Sequence, residues 1–188
     1  LPVDFILVGK GNWYHMAAIL NIVLVEPEIP QNTGNIMRTC MAFGCRLHLI
    51  EPLGFYLDES HLRRAGMDYV KELEYEVHSD WDSFLAAHGK GELFFLTRYG
   101  HQTPDAFDYA ACARDIYLVF GKESTGIPLP LLRAHASRCI RLPMMASARS
   151  LNLSNTVAIA VYEVLRQLDY PQLSREEVIK GKDWLDRG

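Results

Sequence analysis

Short apolar runs alternate with amphipathic stretches along most of the chain. Six runs have the length and the β-branched and aromatic content of strands, at residues 21–25, 46–50, 73–77, 92–97, 116–120 and 139–142. Apolar residues at helical spacing follow each other at residues 33–43, 59–65, 81–88, 129–136 and 153–168. Strands that alternate with helices are typical of βαβ units. We therefore predict an α/β fold with a mainly parallel six-stranded sheet and helices on both faces.

The last predicted helix, residues 153–168, has two apolar stripes. One stripe repeats every three or four residues and consists of Leu153, Val157, Val161, Val164 and Leu168. Ile159, Ala160 and Tyr162 lie off that face and form the second. A helix that is apolar on nearly all sides must be covered on both faces, either by its own chain or by another. In a domain this small we expect a second copy of the chain, in a two-fold homodimer.

Three polar segments follow predicted strands. Segment 1 is PQNTGNIMR (residues 30–38), segment 2 is VFGKESTGIP (residues 119–128) and segment 3 is SLNLSN (residues 150–155). Segment 3 opens a helix with more Ser and Asn side chains than one N-cap requires, which fits a redundant cap and a ligand site equally well. Because ligands in open α/β sheets bind beyond the carboxyl ends of the strands, the three segments together predict one ligand site.

Length, composition and charge narrow the class of protein. A chain of 188 residues with 49% hydrophobic content predicts one domain, which we place at residues 20–170. Residues 1–19 are interpreted as an N-terminal extension, native or left over from expression, without the features of a signal peptide, and residues 171–188 as a C-terminal tail. No apolar run has transmembrane length, so we expect no membrane association. The net charge of −4 argues against DNA binding and restricts RNA contact to a local patch.

The cysteines, the histidines and the absent nucleotide motifs narrow the chemistry further. Cys40, Cys45, Cys112 and Cys139 form no CxxC pair and are interpreted as reduced thiols of a cytoplasmic protein. The seven histidines do not gather with carboxylates at ligand spacing along the sequence, so we expect no metal. The chain also lacks a Walker loop, a GxGxxG fingerprint after its first strand and a GxSxG elbow.

Together the three segments resemble the three motifs of the SpoU branch of the SPOUT RNA methyltransferases. Within that branch the chain is most similar to enzymes that methylate the ribose 2′-hydroxyl of the tRNA wobble nucleotide, position 34. The resemblance implies a deep C-terminal trefoil knot, S-adenosylmethionine as cofactor, S-adenosylhomocysteine as product and no metal. It implies action on cytidine or uridine at that position, in leucine tRNAs. The alternatives are a 2′-O-methyltransferase for another tRNA or rRNA site, and a catalytically idle RNA-binding protein.

The resemblance also implies roles for residues of the three segments. Arg38 is expected to stabilise charge at the reacting hydroxyl, because a guanidinium stays protonated and cannot be a simple base. A solvated cation on a helix face is the alternative. Asn32 and Asn35 are expected to shape the loop around Arg38, and Glu123 and Asn152 to hold the knot loops and contact substrate. For Glu123, a carboxylate favoured by a helix dipole is an equally good interpretation.

Two further sets of residues are implied by the same resemblance. The cofactor contacts are Leu96, Thr97, Gly121, Leu142, Met144 and Ser150. The RNA contacts are Arg63, Arg64, Arg149 and Tyr162. A basic rim at the mouth of the cofactor pocket would bind phosphate even though the whole chain is acidic.

Overall fold

A computed structural model describes residues 5–8, 12–15, 18–57 and 73–187. Strands β1 (Phe5–Val8) and β2 (Asn12–His15) pair antiparallel in a small sheet of their own. The main sheet consists of β3 (Leu20–Val25), β4 (Arg46–Ile50), β5 (Tyr75–His78), β6 (Glu92–Leu96), β7 (Ile116–Phe120) and β8 (Cys139–Ile140). Its order is β5-β4-β3-β7-β6-β8 and every neighbouring pair is parallel. The predicted six-stranded sheet is confirmed.

The described helices are α1 (Pro30–Phe43), α2 (Trp81–His88), α3 (Leu129–Ala134) and α4 (Leu153–Gln167), with 3-10 turns at Pro104–Ala106, Ala136–Arg138 and Trp184–Asp186. The helix predicted at residues 59–65 lies outside the described residues. Helix α1 ends at Gly44, whose φ of 66° is the left-handed conformation in which glycine has no steric penalty.

Helix α1 begins earlier than the sequence predicted. Its first residue is Pro30 rather than Thr33, because a proline at the first helical position needs no N–H partner and already has the helical φ. Asn32 is therefore helical, as Asn35 already was in the predicted helix, and the expectation that the two residues shape a loop around Arg38 was wrong. Asn32 is buried and Asn35 is exposed, so the two side chains lie on different sides of the helix.

Two apolar cores cover the two faces of the sheet. On one face, Ile22 and Leu24 of β3 pack with α1 and α4. On the other, Val23 and Val25 of the same strand pack with Phe84 of α2 and with α3. Side chains alternate between the faces of a strand, and β3 and β7 are buried at every position, as expected for central strands of a parallel sheet. Helices on both faces are confirmed.

The two stripes predicted on α4 differ in their burial. Val157, Val161 and Val164 are buried in the core, so the first stripe is confirmed. Ala160 is also buried within the chain, and its assignment to a second uncovered stripe was wrong because its small side chain fits against the core. Ile159 and Tyr162 remain about half exposed, at 48% and 51%. An apolar surface is left on α4, and the homodimer stays a prediction.

The cysteines agree with the prediction, and three of the histidines form a cluster. All four cysteines are free, and three of them are buried. His48, His78 and His88 gather with a carboxylate, Glu76, although they show no ligand spacing along the sequence. Parallel strand pairing and the packing of α2 bring these residues together, which spacing along the chain cannot reveal. Among the described residues no helix is long and apolar enough to cross a bilayer.

Candidate functional site

Hydrogen bonds between side chains join the three polar segments. Asn32 of segment 1 donates through Nδ2 to Oε1 of Glu123 in segment 2, at 2.9 Å. Asn152 of segment 3 donates through Nδ2 to Oδ1 of the same Asn32, also at 2.9 Å. Because Asn32 accepts with one end of its amide and donates with the other, it links the two partner segments. The predicted convergence of the segments at one edge of the sheet is thus present in the fold.

Glu123 lies before the first turn of α1 although it belongs to the loop after β7. Its carboxylate accepts from the backbone N–H groups of Glu28 at 2.8 Å and Ile29 at 3.3 Å, next to the start of the helix at Pro30. A negative charge is stabilised at this end of a helix. Both interpretations of Glu123 from the sequence therefore apply. Its carboxylate holds two loops together, and it lies at the N-terminus of a helix from another segment.

Glu28 makes the reciprocal contact. Its carboxylate accepts from the side-chain hydroxyl of Ser124 at 2.8 Å and from the backbone N–H of the same residue at 2.9 Å. The Ser124 hydroxyl, followed by its backbone N–H, lowers the pKa of Glu28. Each loop thus supplies a carboxylate to the backbone of the other. The ends of β3 and β7 are held in one arrangement by two opposed sets of hydrogen bonds.

Asn152 alone caps α4. Its Oδ1 accepts from the backbone N–H groups of Ser154 at 2.9 Å and Asn155 at 3.3 Å, and from the Ser154 hydroxyl at 2.7 Å. The cap orients the amide so that Nδ2 reaches Asn32. Ser150 takes no part in these bonds and instead lines the pocket beside the helix. The polar run of segment 3 is therefore divided between a cap and a pocket wall.

Gly121 is required by the loop that it begins. A Cβ atom there would lie 2.0 Å from the carbonyl carbon of Gly126 and 2.1 Å from the nitrogen of Ile127. The loop closes through the Gly126 N–H, which donates to the Lys122 carbonyl oxygen at 2.8 Å, and Gly126 itself has a φ of 75°. The close neighbour that excludes a side chain at residue 121 is therefore the protein backbone.

Two adjoining pockets at the carboxyl ends of β6, β7 and β8, which share part of their lining and are together called the cleft, hold all six predicted cofactor contacts. Leu96, Thr97 and Ser150 line the whole cleft, Gly121 lines its side toward β7, and Leu142 and Met144 line its side toward β8. Apolar walls are completed by Ile127, Leu132 and Leu151, and Thr156 adds a hydroxyl. Apolar walls with a few polar groups and accessible strand-end backbone are the usual lining of a site for an organic ligand.

Arg98 and Tyr99 are among the lining residues that sequence reasoning missed. The Arg98 guanidinium lies 5.5 Å from the centre of the Tyr99 ring, and that ring is 68% exposed. Arg141 donates a hydrogen bond to the Arg98 carbonyl oxygen, which joins the loops after β6 and β8. Both residues directly follow the predicted strand-end pair Leu96 and Thr97. Their position at a carboxyl strand end was the signal that could have identified them.

Of the other predicted site residues, Asn32, Glu123 and Asn152 also line the cleft. Arg38, Arg149 and Tyr162 lie outside its lining. Arg38 is exposed on α1, about 9 Å along the helix axis from Asn32. Arg149 is exposed beside Ser150. Tyr162 lies on α4 with its ring 6.0 Å from that of Phe43. Arg63 and Arg64 are not among the described residues.

Comparison with known proteins gives consistent matches over the same part of the chain. The model of the SpoU rRNA Methylase family matches residues 19–162. A tRNA (cytidine(34)-2'-O)-methyltransferase from Escherichia coli (strain K12) is 49% identical over 154 residues, which cover 81% of this chain and 96% of that protein. One of the same name from Yersinia pestis is 48% identical over 159 residues, with 81% and 96% covered. A solved structure from work on the 2-OH methylation of C/U34 on tRNA has a TM-score of 0.71 and 38% identity, and the match covers 81% of this chain and 98% of that one.

Proposed function

Because the chain belongs to the SpoU rRNA methylase family, we propose that it methylates the ribose 2′-hydroxyl of the wobble nucleotide of tRNA. The substrate nucleotide is cytidine or uridine at position 34, and leucine tRNAs are the species in which we expect it. The observation that carries the proposal is the hydrogen-bonded convergence of three segments at one cleft, formed by Glu123, Asn32 and Asn152. The relatives that match nearly their whole length share the name of this activity.

The cleft fits S-adenosylmethionine. That cofactor has an aromatic base and a short aliphatic chain but no pyrophosphate, so it needs apolar walls and backbone hydrogen bonds rather than a glycine-rich phosphate loop. Leu96, Leu142 and Met144 supply apolar surface, and Thr97 and Ser150 supply hydroxyls. S-adenosylmethionine supplies a methyl group on a sulfonium and leaves as S-adenosylhomocysteine. Nothing in this donor set of hydroxyls and backbone groups calls for a metal, and we expect cofactor binding to be independent of one.

Arg38 is the residue that we assign to the reacting oxygen. A 2′-hydroxyl becomes nucleophilic as its proton leaves, and a fixed cation stabilises the charge that forms. Arg38 lies on the exposed side of α1, where RNA can reach it. The first turn of that helix is held by Glu123 and by the Asn32–Asn152 bond. These three residues are positioning residues in this mechanism, because they hold the helix that carries Arg38 against the cofactor cleft.

RNA binding is assigned to a local rim around the cleft. Arg149 beside Ser150 and the Arg98–Tyr99 pair offer cationic groups and an exposed ring, which suit phosphate contact and base stacking. We also assign RNA contact to Arg63, Arg64 and Tyr162. A rim of this kind is compatible with the net charge of −4, since only the local field has to be positive.

We further propose that the active form is a homodimer built on α4. Ile159 and Tyr162 are spaced three residues apart, and both are about half exposed on the side of α4 away from the core. The stripe continues with Asn155 and Arg166, so a partner would meet an apolar centre between polar ends. Such an arrangement suits a self-complementary two-fold contact.

The same proposal includes the fold details and boundaries implied by the resemblance. The methyltransferase domain is residues 20–170, flanked by an extension at residues 1–19 and a tail at residues 171–188. Its C-terminal part forms a deep trefoil knot, supported by the pairing of β8 with β6 and by the return of the chain from β8 to α1 at Asn152. A tRNA substrate and four free thiols favour a cytoplasmic enzyme.

Nucleoside mass spectrometry tests the activity directly. Unmodified tRNA is incubated with the protein and methyl-labelled S-adenosylmethionine, and the same tRNA with a 2′-deoxy nucleotide at position 34 is the matched control. We expect labelled 2′-O-methylcytidine or 2′-O-methyluridine at position 34 of the first tRNA and no label in the control. Label that persists in the control would assign the enzyme to another site. RNA binding that ignores the cofactor and gives no methylated product would identify an idle RNA-binding protein.

A further inference from the structure

Three histidines and one glutamate converge on the face of the sheet opposite α1 and α4. Their nearest nitrogen and oxygen atoms all lie within 4.8 Å of one another. The Nδ1 atom of His48 is 3.1 Å from Nε2 of His78, and Oε2 of Glu76 is 3.8 Å from the same His78 nitrogen. The Nε2 atom of His88 is 3.0 Å from that Glu76 oxygen. These residues belong to β4, β5 and the end of α2, and none of them lines the cofactor cleft.

The outer nitrogens of two of these histidines are held by other residues. Asn21 donates through Nδ2 to the carbonyl oxygens of Ile19 and Ile116, which turns its Oδ1 toward Nε2 of His48 at 3.2 Å. His48 must therefore carry its proton on Nε2, so its Nδ1 lone pair points at the cluster. The Nδ1 atom of His88 lies 3.2 Å from the Tyr117 hydroxyl, which leaves Nε2 facing inward. Hydrogen bonds of this kind orient histidines that bind a metal.

Burial affects two of the histidines in the cluster. Burial, followed by the electrostatic effect of the neighbouring His88 imidazole, lowers the pKa of His48 to about 4. Burial also lowers the pKa of His78. Arg46, two residues before His48, forms an ion pair with Glu74 at 2.8 Å. Three imidazoles and one carboxylate face a common point.

We propose that this cluster binds one Zn²⁺ ion, with His48, Glu76, His78 and His88 as its ligands. Tetrahedral Zn²⁺ with bonds of about 2.0–2.1 Å to nitrogen and oxygen needs ligand atoms about 3.4 Å apart. Three of the six separations among the four ligand atoms, 3.0, 3.1 and 3.8 Å, bracket that value, and all six are within 4.8 Å. Imidazole ligands suit Zn²⁺, whereas Mg²⁺ and Ca²⁺ prefer sets of oxygen ligands. Four protein ligands leave no open position for a substrate, which is the pattern of a structural site.

The ion would join α2 to the edge of the sheet. Strand β5 is an edge strand whose first three residues are exposed, and α2 buries only Phe84. The Phe84 ring lies within 5.7 Å of the rings of His48, His78 and His88, so the apolar contacts of α2 surround the cluster. Glu76 is half exposed, and an ion could enter from its side. Zinc at this point would stabilise an edge that has few buried apolar residues of its own.

Zinc titration of the whole protein tests the proposal. Protein freed of metal by dialysis against a chelator is titrated with ZnCl2 by calorimetry, and total zinc is measured after gel filtration. We expect one ion per chain, a rise in Tm on adding zinc, and visible absorption of tetrahedral type with Co²⁺. Because His48 is buried and its replacement could unfold the chain, the variants are Glu76→Gln and His88→Gln, which lie nearer the surface.

Each ligand variant should weaken zinc binding by about tenfold or more and reduce the rise in Tm. His101→Gln, at an exposed histidine outside the cluster, is the matched control and should bind zinc like the unchanged protein. Three results would overturn the proposal. They are no stoichiometric zinc in the unchanged protein, zinc binding in both ligand variants as tight as in the unchanged protein, or loss of zinc binding in the control. Because the cluster is separate from the cofactor cleft, none of these outcomes bears on the methylation assay.

Discussion

Asn152 donates a hydrogen bond of 2.9 Å to Asn32, although 120 positions of sequence separate the two residues. Each side-chain amide makes a second hydrogen-bonding contact. Asn152 caps α4 through its oxygen, and Asn32 donates to Glu123 through its nitrogen. The starts of α1 and α4 and the loop after β7 are therefore coupled by one line of side chains. Substitution of either asparagine should therefore affect both helices and the cofactor cleft.

The coupling of the two amides can be measured by a double-mutant cycle. Asn152→Ala removes the cap of α4 and leaves the Asn32 oxygen without its donor, so we expect a loss of about 1–3 kcal/mol in the free energy of unfolding. Asn32→Ala breaks the same hydrogen bond. The loss of stability in the double variant should therefore be smaller than the sum of the losses in the two single variants. Urea unfolding of the two single variants and the double variant checks this. Asn155→Ala, one turn into α4 with an exposed side chain, is the control and should change stability little. Strict additivity of the two variants would show that the bond has no energetic role.

Two glycines of one loop should respond differently to the same substitution. Gly121→Ala forces a Cβ to within 2.0 Å of the Gly126 backbone, so the loop must move, and we expect a cost of about 3 kcal/mol together with loss of cofactor binding. Gly126→Ala meets no neighbouring atom and has only to adopt its φ of 75°, which costs about 1–2 kcal/mol. Thermal unfolding and calorimetry with S-adenosylmethionine compare them. Normal cofactor affinity in Gly121→Ala would mean that the loop does not form the binding surface.

Arg38 should affect the reaction rather than cofactor binding. Removal of a group that stabilises charge only in the transition state lowers the rate by about 100- to 1,000-fold, so Arg38→Ala should lose that much in single-turnover methylation while its cofactor affinity stays unchanged. Gln31→Ala, also exposed on α1, is the control. Replacement of Arg63 and Arg64 should instead raise the tRNA concentration required and flatten its salt dependence. A full rate in Arg38→Ala would remove this residue from the catalytic centre.

The apolar surface of α4 predicts the oligomeric state. Light scattering at micromolar concentration should give twice the chain mass. Ile159→Asp should shift the protein to a monomer, because a carboxylate would be buried without a partner in the interface. Ile179→Asp is the matched control, since Ile179 is 95% exposed in the C-terminal tail. Full activity of a monomer would contradict the proposed active dimer.

The cysteines should differ in reactivity toward an alkylating reagent at pH 8. The thiolate is the reactive species, and burial raises the pKa of Cys45 to about 12 and that of Cys40 well above its usual range. Cys112, which is partly exposed, should therefore be labelled first, and Cys40 and Cys45 only after unfolding in urea. Mass spectrometry of the labelled peptides at successive times gives the order. Early labelling of Cys40 would mean that α1 opens readily from the core.

Local sequence patterns were enough to identify the strands and most of the helices. The six predicted strands differ from the observed ones by at most two residues at an end, because strands of a buried parallel sheet are short continuous apolar runs bounded by polar residues. The start of α1 was less well predicted. Its first turn contains Pro30, Gln31 and Asn32, which have no apolar periodicity, so a helix begun by a proline was interpreted as a loop.

The sequence predicted which residues belong to the candidate site. It did not predict the contacts among them. Residues at carboxyl strand ends can be identified along the chain, and this rule would also have found Arg98 and Tyr99. The pairing of Asn32 with both Glu123 and Asn152 depends on which strands are neighbours. The order β5-β4-β3-β7-β6-β8 is a property of the folded chain, since each strand meets partners that are far away in sequence.

The sequence by itself determined the fold class, the predicted ligand-binding segments and the burial of Val157, Val161 and Val164, because these depend on periodicity and local polarity. Only the tertiary structure decided that Ala160 is buried and that His48, His78 and His88 meet Glu76. Contacts of that kind depend on sheet register and on the packing of a helix over two strands. Their distances are set in space by backbone pairing, and spacing along the chain carries no information about them.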